Sequence, residues 1–181
     1  MPLKKEDISP NLVKDLVLQE YTSAKSIVGV RLIPFDLHVD DGGDLHELAR
    51  INNGLVSSVE TFELKQINRS RFNAGLVKAF HLHFSQDEIW AVHPLDRLLV
   101  GLLDVRKGSQ TEGVRMRLVL GGGKSNVLYI PRGVAHGGMS LDNKPVDVIY
   151  LTNQHFSTSD PDEWRLSWKM LGDDFWKISH G

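Results

Sequence analysis

The sequence contains no cysteine among its 181 residues. Disulfides, thiolate zinc sites and cysteine nucleophiles are therefore excluded, and a metal site would need histidine, carboxylate or main-chain oxygen ligands. There is also no apolar signal segment and no run of about 18 apolar residues that would span a membrane. The 21 basic and 23 acidic side chains leave a net charge of -2, which favours neither nucleic acid nor a membrane surface as a partner. We expect a cytoplasmic protein folded as one domain over residues 1–181.

Short β-type runs, separated by turn residues such as Asp40-Asp41-Gly42-Gly43 and Gly121-Gly122-Gly123, fill the middle of the sequence. Such a succession of closely spaced runs predicts an all-β sandwich or barrel. The predicted strands cover residues 30–37, 45–51, 56–66, 75–84, 89–92, 98–105, 114–120, 127–130, 137–141 and 146–152.

The two ends of the sequence do not show the β-type pattern of the middle. Ser9-Pro10 and the apolar spacing that follows predict a short amphipathic helix over about residues 10–20. Residues 157–162 have the composition of a turn and helix start, which predicts a short helical and aromatic tail. The tryptophans of that tail, Trp164, Trp168 and Trp176, are expected to form a packed lid or a subunit contact.

Two histidine segments contain the candidate catalytic or metal-binding residues of the sequence. Along an extended strand, alternation places His81 and His83 on one face and Lys78 on the other. A third histidine, His136, follows a Pro-x-Gly turn some fifty residues later. If the three meet at the mouth of a barrel, they form a pocket that either holds a metal or moves protons.

The spacing of these segments is Gly, five residues, His-x-His, four residues, Glu, with Pro-x-Gly-x-x-His downstream. This pattern resembles the two motifs of the cupin superfamily of small β-barrels. In metal-binding cupins such residues ligate a divalent first-row metal. The resemblance implies His81, His83, Glu88 and His136 as the ligand set.

Five stretches that follow one another in order carry a second and broader resemblance. They are Asp40–Glu47, Gln66–His81 with its Gln-x-Asn-x-Ser start, Asp104–Ser109, Ile130–Gly137 and Val148–Thr152. From about residue 30 to 176 the sequence resembles the dTDP-4-dehydrorhamnose 3,5-epimerase family, a non-metal branch of the cupins that acts on nucleotide-linked 4-keto sugars. This resemblance implies an RmlC-like cupin β-barrel (jelly roll), a homodimer and a nucleotide-sugar substrate, with no cofactor.

The same resemblance implies roles for individual residues. His81 would be the base that removes a proton at C3 or C5 of the 4-keto sugar, and Tyr150 the acid that returns one from the opposite face. Lys78 takes the place of a family arginine that contacts the diphosphate. The remaining positions implied to contact the substrate are Glu47, Gln66, Asn68, His83 and His136.

Three family positions carry different residues in this sequence. Gly42 replaces an arginine that reaches the phosphate across the family's dimer, and Ile89 or Trp90 falls where a lysine steadies the enolate. Lys169 or Met170 falls where an aspartate orients the base. Asp173 or Asp174 is a candidate to replace that carboxylate. His83 or Lys78 is a candidate to replace the lysine that steadies the enolate. A metal-dependent cupin enzyme and a non-catalytic sugar-nucleotide-binding cupin therefore stand as alternatives to an epimerase.

Overall fold

A computed structural model describes residues 1–18 and 25–178. A 3-10 turn at Lys5–Asp7 and a one-turn helix, α1 (Pro10–Val13), precede the strands. The strands are β1 (Arg31–Pro34), β2 (Leu37–Asp40), β3 (Gly43–His46), β4 (Ile51–Asn52), β5 (Leu55–Val56), β6 (Gln66–Phe72), β7 (Val77–Leu82), β8 (Glu88–Val92), β9 (Arg97–Asp104), β10 (Arg115–Gly121), β11 (Asn126–Ile130), β12 (Val134–Ser140), β13 (Val146–Thr152) and β14 (Trp164–Arg165).

Two 5-stranded antiparallel sheets form the body of the molecule, in the orders β1-β11-β8-β13-β6 and β10-β9-β12-β7-β14. The strand content and the two packed sheets confirm the predicted all-β, jelly-roll fold. Alternate residues of each strand enter the core that both sheets share. On β9, Leu98, Val100 and Leu102 belong to this core, whereas Leu99 and Leu103 pack on the outer face of the same sheet.

The aromatic tail covers that outer face. Trp176 is buried, and its ring lies 5.6 Å from the ring of Phe80 on β7. Gly101 on β9 makes this packing possible, because a Cβ atom there would lie 2.5 Å from Phe175 and 2.7 Å from Trp176. The described part of the tail consists of turns and the short strand β14 and contains no helix, so the helical expectation is not met there.

Three other predicted elements differ from the structure, and one of them is the predicted strand 45–51, which is interrupted between the end of β3 at His46 and the start of β4 at Ile51. The predicted amphipathic helix is helical only over Pro10–Val13; residues 19 and 20 lie outside the described part of the chain. The predicted strand 56–66 is mostly turn, and the strand lies instead at Gln66–Phe72. Gln66, Asn68 and Ser70 are polar because this face of β6 lines a cavity, so the strand lacks the usual alternation of apolar and polar residues. Within the described residues, no helix is long and apolar enough to cross a membrane.

A register shift on β7 changes which side chains face the interior. His81 pairs with His136 on β12, but Lys78 pairs with Gly138, so two residues of β7 oppose the single Gly137. An extra residue in one strand is a β-bulge, and it reverses the alternation of faces beyond it. Lys78 therefore lines the same cavity as His81, and the prediction that the two point to opposite faces is wrong.

Candidate active site

A cavity of about 370 Å³ lies between the two sheets. One wall comes from β6, β8 and β13, and the other from β7, β12 and β14. Eight of the site residues proposed from the sequence line this cavity: Gln66, Asn68, Lys78, His81, His83, Glu88, His136 and Tyr150.

His81 lies on the β7 wall, and its Nδ1 is 3.2 Å from Oε1 of Glu163. A carboxylate only accepts hydrogen bonds, so this contact favours the tautomer with the proton on Nδ1 and the lone pair on Nε2. Burial lowers the pKa of His81 to about 4, helped by the charges of His136 and Arg165 and opposed by Glu163. The imidazole is therefore neutral near pH 7 and able to accept a proton.

Tyr150 lies on the opposite wall, on β13, beside Val148. Burial raises the pKa of the Tyr150 phenol, and the negative charges of Glu88 and Glu163 raise it further. The phenol therefore keeps its proton at neutral pH. The cavity thus holds a neutral imidazole on one sheet and a protonated phenol on the other.

A buried carboxylate, Glu88, occupies one side of the cavity and is surrounded by donors. Its Oε1 accepts a hydrogen bond from Gln86 Nε2 at 2.8 Å and lies 3.3 Å from His83 Nε2. Its Oε2 accepts a hydrogen bond from Trp90 Nε1 and lies 3.2 Å from His136 Nε2. Although burial opposes ionisation, His136 and His83 hold the pKa of Glu88 well below its usual range. Glu88 is therefore ionised.

His83 has an acceptor at each ring nitrogen. Its Nδ1 lies 2.5 Å from the main-chain oxygen of Asp162, and its Nε2 faces Glu88. Burial alone would lower the pKa of His83, but its contacts with Glu88 and Asp162 raise it. A ring between two acceptors is fully satisfied when it carries both protons.

The metal-binding alternative depends on these same groups. Ligand atoms of His83, Glu88 and His136 lie within 4.8 Å of one another, and His81 is not part of that group. The three residues suit a divalent first-row cation in type, and such an ion would polarise a bound carbonyl oxygen. Both Glu88 oxygens, however, already accept hydrogen bonds from Gln86 and Trp90. Hydrogen bonds from the two imidazoles to Glu88 account for the short histidine contacts without a metal ion.

Lys78 enters the cavity beyond the bulge. Its Nζ donates to Ser70 Oγ at 2.6 Å and to the carbonyl oxygen of Arg71 at 3.4 Å, and it lies 4.8 Å from the centre of the Phe72 ring. None of these partners is anionic. Burial lowers the pKa of Lys78, and the charge of Arg165 lowers it further, with Glu163 opposing. The cavity therefore contains an ammonium group without a carboxylate partner among these contacts.

Residues 157–165, here called the strap, cross the cavity and were not anticipated as part of the site. The Asp162 carboxylate accepts hydrogen bonds from the main-chain nitrogens of Phe84, Ser85 and Gln86 at 2.8–3.0 Å. β14 then pairs with β7 and brings Glu163 and Arg165 to the cavity. The acidic run and proline of the strap suggested a helix start, and only the neighbouring Trp164 hinted at a strand.

Not every predicted position joins the cavity. Gln66 and Asn68 do, and Gln66 also holds the loop above, since its Oε1 accepts from the main-chain nitrogen of Phe156 at 3.0 Å. Glu47 lies in a separate surface depression and pairs with Arg50. Asp173 and Asp174, the predicted partners of the base, are both exposed, and Asp174 pairs with Lys177. The carboxylate that lies beside His81 is instead Glu163.

Comparisons with known proteins agree with this geometry. The family model of dTDP-4-dehydrorhamnose 3,5-epimerase matches residues 24–174. The spore coat polysaccharide biosynthesis protein SpsL of Bacillus subtilis (strain 168) is 34% identical over 142 residues, which are 78% of this chain and 90% of that protein. Among solved structures, the dTDP-4-dehydrorhamnose 3,5-epimerase of Bacillus anthracis, with TDP and PPi bound, superposes with a TM-score of 0.68 at 21% identity, over 86% of this chain and 91% of that one.

A further solved structure, the dTDP-4-dehydrorhamnose 3,5-epimerase of Sulfolobus tokodaii, has a TM-score of 0.62 at 28% identity and covers 78% of this chain and 79% of its own. The structures of lower identity show the shared fold. The family model and the B. subtilis relative show the family to which the chain belongs. This chain belongs to the dTDP-4-dehydrorhamnose 3,5-epimerase family.

Proposed function

We propose that the protein is an epimerase that inverts C3, C5 or both in a nucleotide-linked 4-keto-6-deoxy sugar. The observation that carries this proposal is the placement of His81 and Tyr150 on opposite walls of one cavity. Inversion of a carbon centre requires a proton to leave from one face of the sugar ring and another to arrive on the other face. A base and an acid on facing sheets meet that requirement.

In this mechanism the lone pair on His81 Nε2 takes the proton from the carbon next to the C4 ketone. The electrons of that C–H bond form the enolate, whose negative charge lies on the C4 oxygen. Tyr150 then donates its phenolic proton to the opposite face of the same carbon, and the ketone re-forms. Glu163 holds the His81 ring through Nδ1 and stabilises the imidazolium that forms, so it is a positioning residue.

The enolate also needs positive charge nearby, because oxyanion stabilisation is commonly the largest single contribution to such reactions. The resemblance places a lysine near Ile89 or Trp90; of these two residues Trp90 lines the cavity wall, and its indole nitrogen donates to Glu88. Lys78 is the amine that the cavity offers instead. The contacts of His83 with Glu88 and Asp162 raise the pKa of His83, and its protonated ring adds positive charge to the same wall.

The substrate class is supported by the relatives. The Bacillus anthracis structure is described with TDP and PPi bound. Gln66 and Asn68, which line the cavity and bond to each other, are proposed to contact the nucleotide. Glu47 lies outside the cavity of a single chain, so its role in binding requires a partner subunit in the homodimer that we propose.

Deuterium uptake in heavy water tests the proposal directly. We expect the protein to exchange hydrogen at C3 or C5 of a dTDP-4-keto-6-deoxyhexose, and His81→Asn or Tyr150→Phe to reduce the rate by about 10²–10⁴-fold. His93→Asn and Tyr129→Phe are matched controls outside the cavity and should retain the wild-type rate. Wild-type exchange by His81→Asn would refute the assignment of the base.

Two further outcomes would favour the alternatives. Tight binding of the sugar nucleotide without any exchange would indicate a non-catalytic binding protein. Loss of exchange after treatment with a chelator, with recovery on adding a divalent metal, would indicate a metal-dependent enzyme. Since proton transfer between His81 and Tyr150 needs no metal, we expect the chelator to leave the exchange rate unchanged.

A further inference from the structure

The wall beside His81 contains a cation that the proton transfer between His81 and Tyr150 does not use. β14 pairs with β7 and places Arg165 directly opposite His81. Both side chains line the cavity. Because neighbouring strands of a sheet lie only about 4.8 Å apart, the guanidinium and the imidazole project into the cavity from adjacent backbone positions. Strand pairing therefore puts a permanent positive charge next to the base.

Most hydrogen-bond donors of Arg165 are available to a ligand. Within the part of the chain that the structure describes, its guanidinium makes one hydrogen bond, from Nη2 to Oε1 of Glu163 at 2.7 Å. The side chain is 63% exposed. Since a guanidinium carries several N–H donors in a planar fork, the remaining donors of Arg165 can reach another acceptor in the cavity.

The other cationic groups of the cavity are directed elsewhere. Both ring nitrogens of His83, and both of His136, face protein oxygen atoms. Lys78 points to the facing sheet, where its Nζ donates to Ser70 Oγ on β6 at 2.6 Å. Compared with these three residues, Arg165 is the one that has unused donors on the same wall as the base.

We propose that Arg165 is a catalytic residue that donates hydrogen bonds to the C4 oxygen of the sugar as the enolate forms. This assignment rests on the proposed epimerase function. The C4 oxygen is bonded to the carbon next to the one that loses its proton, so a donor beside His81 is close to the atom that gains negative charge. A guanidinium suits this role because hydrogen bonds between charged groups are stronger than those between neutral groups.

Glu163 connects this cation to the base. Its Oε1 accepts the hydrogen bond from Arg165 and lies 3.2 Å from Nδ1 of His81. Before the reaction the imidazole is neutral, and Glu163 is paired with Arg165. Once His81 has taken the proton, its imidazolium becomes a second cationic partner of Glu163, and Arg165 faces the enolate. Negative and positive charges then alternate from the enolate to the imidazolium, which stabilises the charges that the reaction separates.

Steady-state hydrogen exchange separates this role from substrate binding. With a dTDP-4-keto-6-deoxyhexose in heavy water, we expect Arg165→Gln to lower kcat by about 10²–10³-fold, as for the loss of one oxyanion donor. We expect its KM to change by less than about threefold, and its affinity for dTDP in isothermal titration to stay near that of wild type. Arg69→Gln is the matched control, because Arg69 is exposed and pairs with Asp147 outside this cavity.

Restoring the positive charge distinguishes a lost cation from a disturbed fold. Arg165→Lys keeps a cation, so it should exchange faster than Arg165→Gln. Arg165→Ala leaves space for a free guanidinium ion, so millimolar guanidinium chloride should raise its exchange rate, whereas sodium chloride at the same ionic strength should not. Neither salt should raise the rate of Arg69→Gln.

The remaining outcomes would overturn the assignment. A wild-type kcat in Arg165→Gln, or a fall in kcat/KM that weaker dTDP binding explains in full, would refute the role of Arg165 and leave the epimerase intact. The same holds if Arg165→Lys is as slow as Arg165→Gln and guanidinium does not raise the rate of Arg165→Ala. Absence of exchange in the wild type would instead refute the epimerase itself, and with it this role of Arg165.

Discussion

Replacement of Glu88 by glutamine probes the most buried ionised contact of the site. The Glu88 side chain is 5% exposed, and each of its oxygens faces two donors. A glutamine keeps one acceptor oxygen but turns an NH₂ group toward the other pair of donors. Trp90 Nε1 can only donate, so the amide oxygen must face Trp90 and His136, and the NH₂ group must face His83 and Gln86.

The expected decrease in the free energy of unfolding follows from the loss of this buried charge. Removing one partner of a buried ion pair costs roughly 3–5 kcal/mol, and the oxygen that glutamine retains places Glu88→Gln near the lower end, at about 3 kcal/mol. For a chain of this size, that loss lowers the melting temperature by about 6–12 °C. Urea unfolding at pH 7 and differential scanning calorimetry measure the two quantities.

Glu63→Gln is the matched control for this experiment. Glu63 is 57% exposed and pairs with Lys65, so its replacement should change stability by less than about 1 kcal/mol. His83→Gln combined with Glu88→Gln should destabilise by less than the sum of the single changes, because both remove the same contact. A Glu88→Gln protein as stable as Glu63→Gln would refute the description of Glu88 as a buried, ionised hub.

Three further predictions concern the same wall. Gly137→Ala places a Cβ 2.3 Å from the Ala79 Cβ, so we expect a loss of about 1–3 kcal/mol in urea unfolding; an unchanged midpoint would contradict the bulge geometry. The exchange rate should rise with pH through about 4, where His81 loses its proton, and fall only above the usual range of tyrosine because the pKa of Tyr150 is raised. A rise centred near 6.5 would show that His81 is not perturbed. Asp162→Ala removes the acceptor of three main-chain donors, so limited proteolysis should cut the strap faster than in wild type and exchange should slow; equal cleavage rates would contradict this anchoring.

Parts of the site were readable from the sequence because they depend on local order. The His-x-His spacing predicts that His81 and His83 face one cavity, and the structure confirms this, with His81 on β7 and His83 directly after the end of that strand. The run at 146–152 predicted the strand that carries Tyr150. The turn glycines also marked the connection between β10 and β11, which follows Gly121 and begins with Gly122 and Gly123.

Other parts depended on contacts between distant segments. Alternation alone predicted the wrong face for Lys78, because the bulge opposite Gly137 arises from pairing between β7 and β12. Glu163 lies 82 positions from His81 in the sequence, and only the pairing of β14 with β7 brings the two together. The run rich in Asp and Pro indicates a turn, and Trp164 is the one residue in it that hints at a strand.

The sequence by itself thus determined the β-rich fold, the histidine segments and the resemblance to an epimerase family, since these depend on residue order and on alternation along a strand. Only the tertiary structure decided the partners of the histidines. In the structure His83 contacts Glu88, His81 contacts Glu163, and Arg165 lines the same cavity. These partners could not be read from the sequence because any strand that the sheet pairing brings within hydrogen-bond distance can supply the carboxylate or the cation.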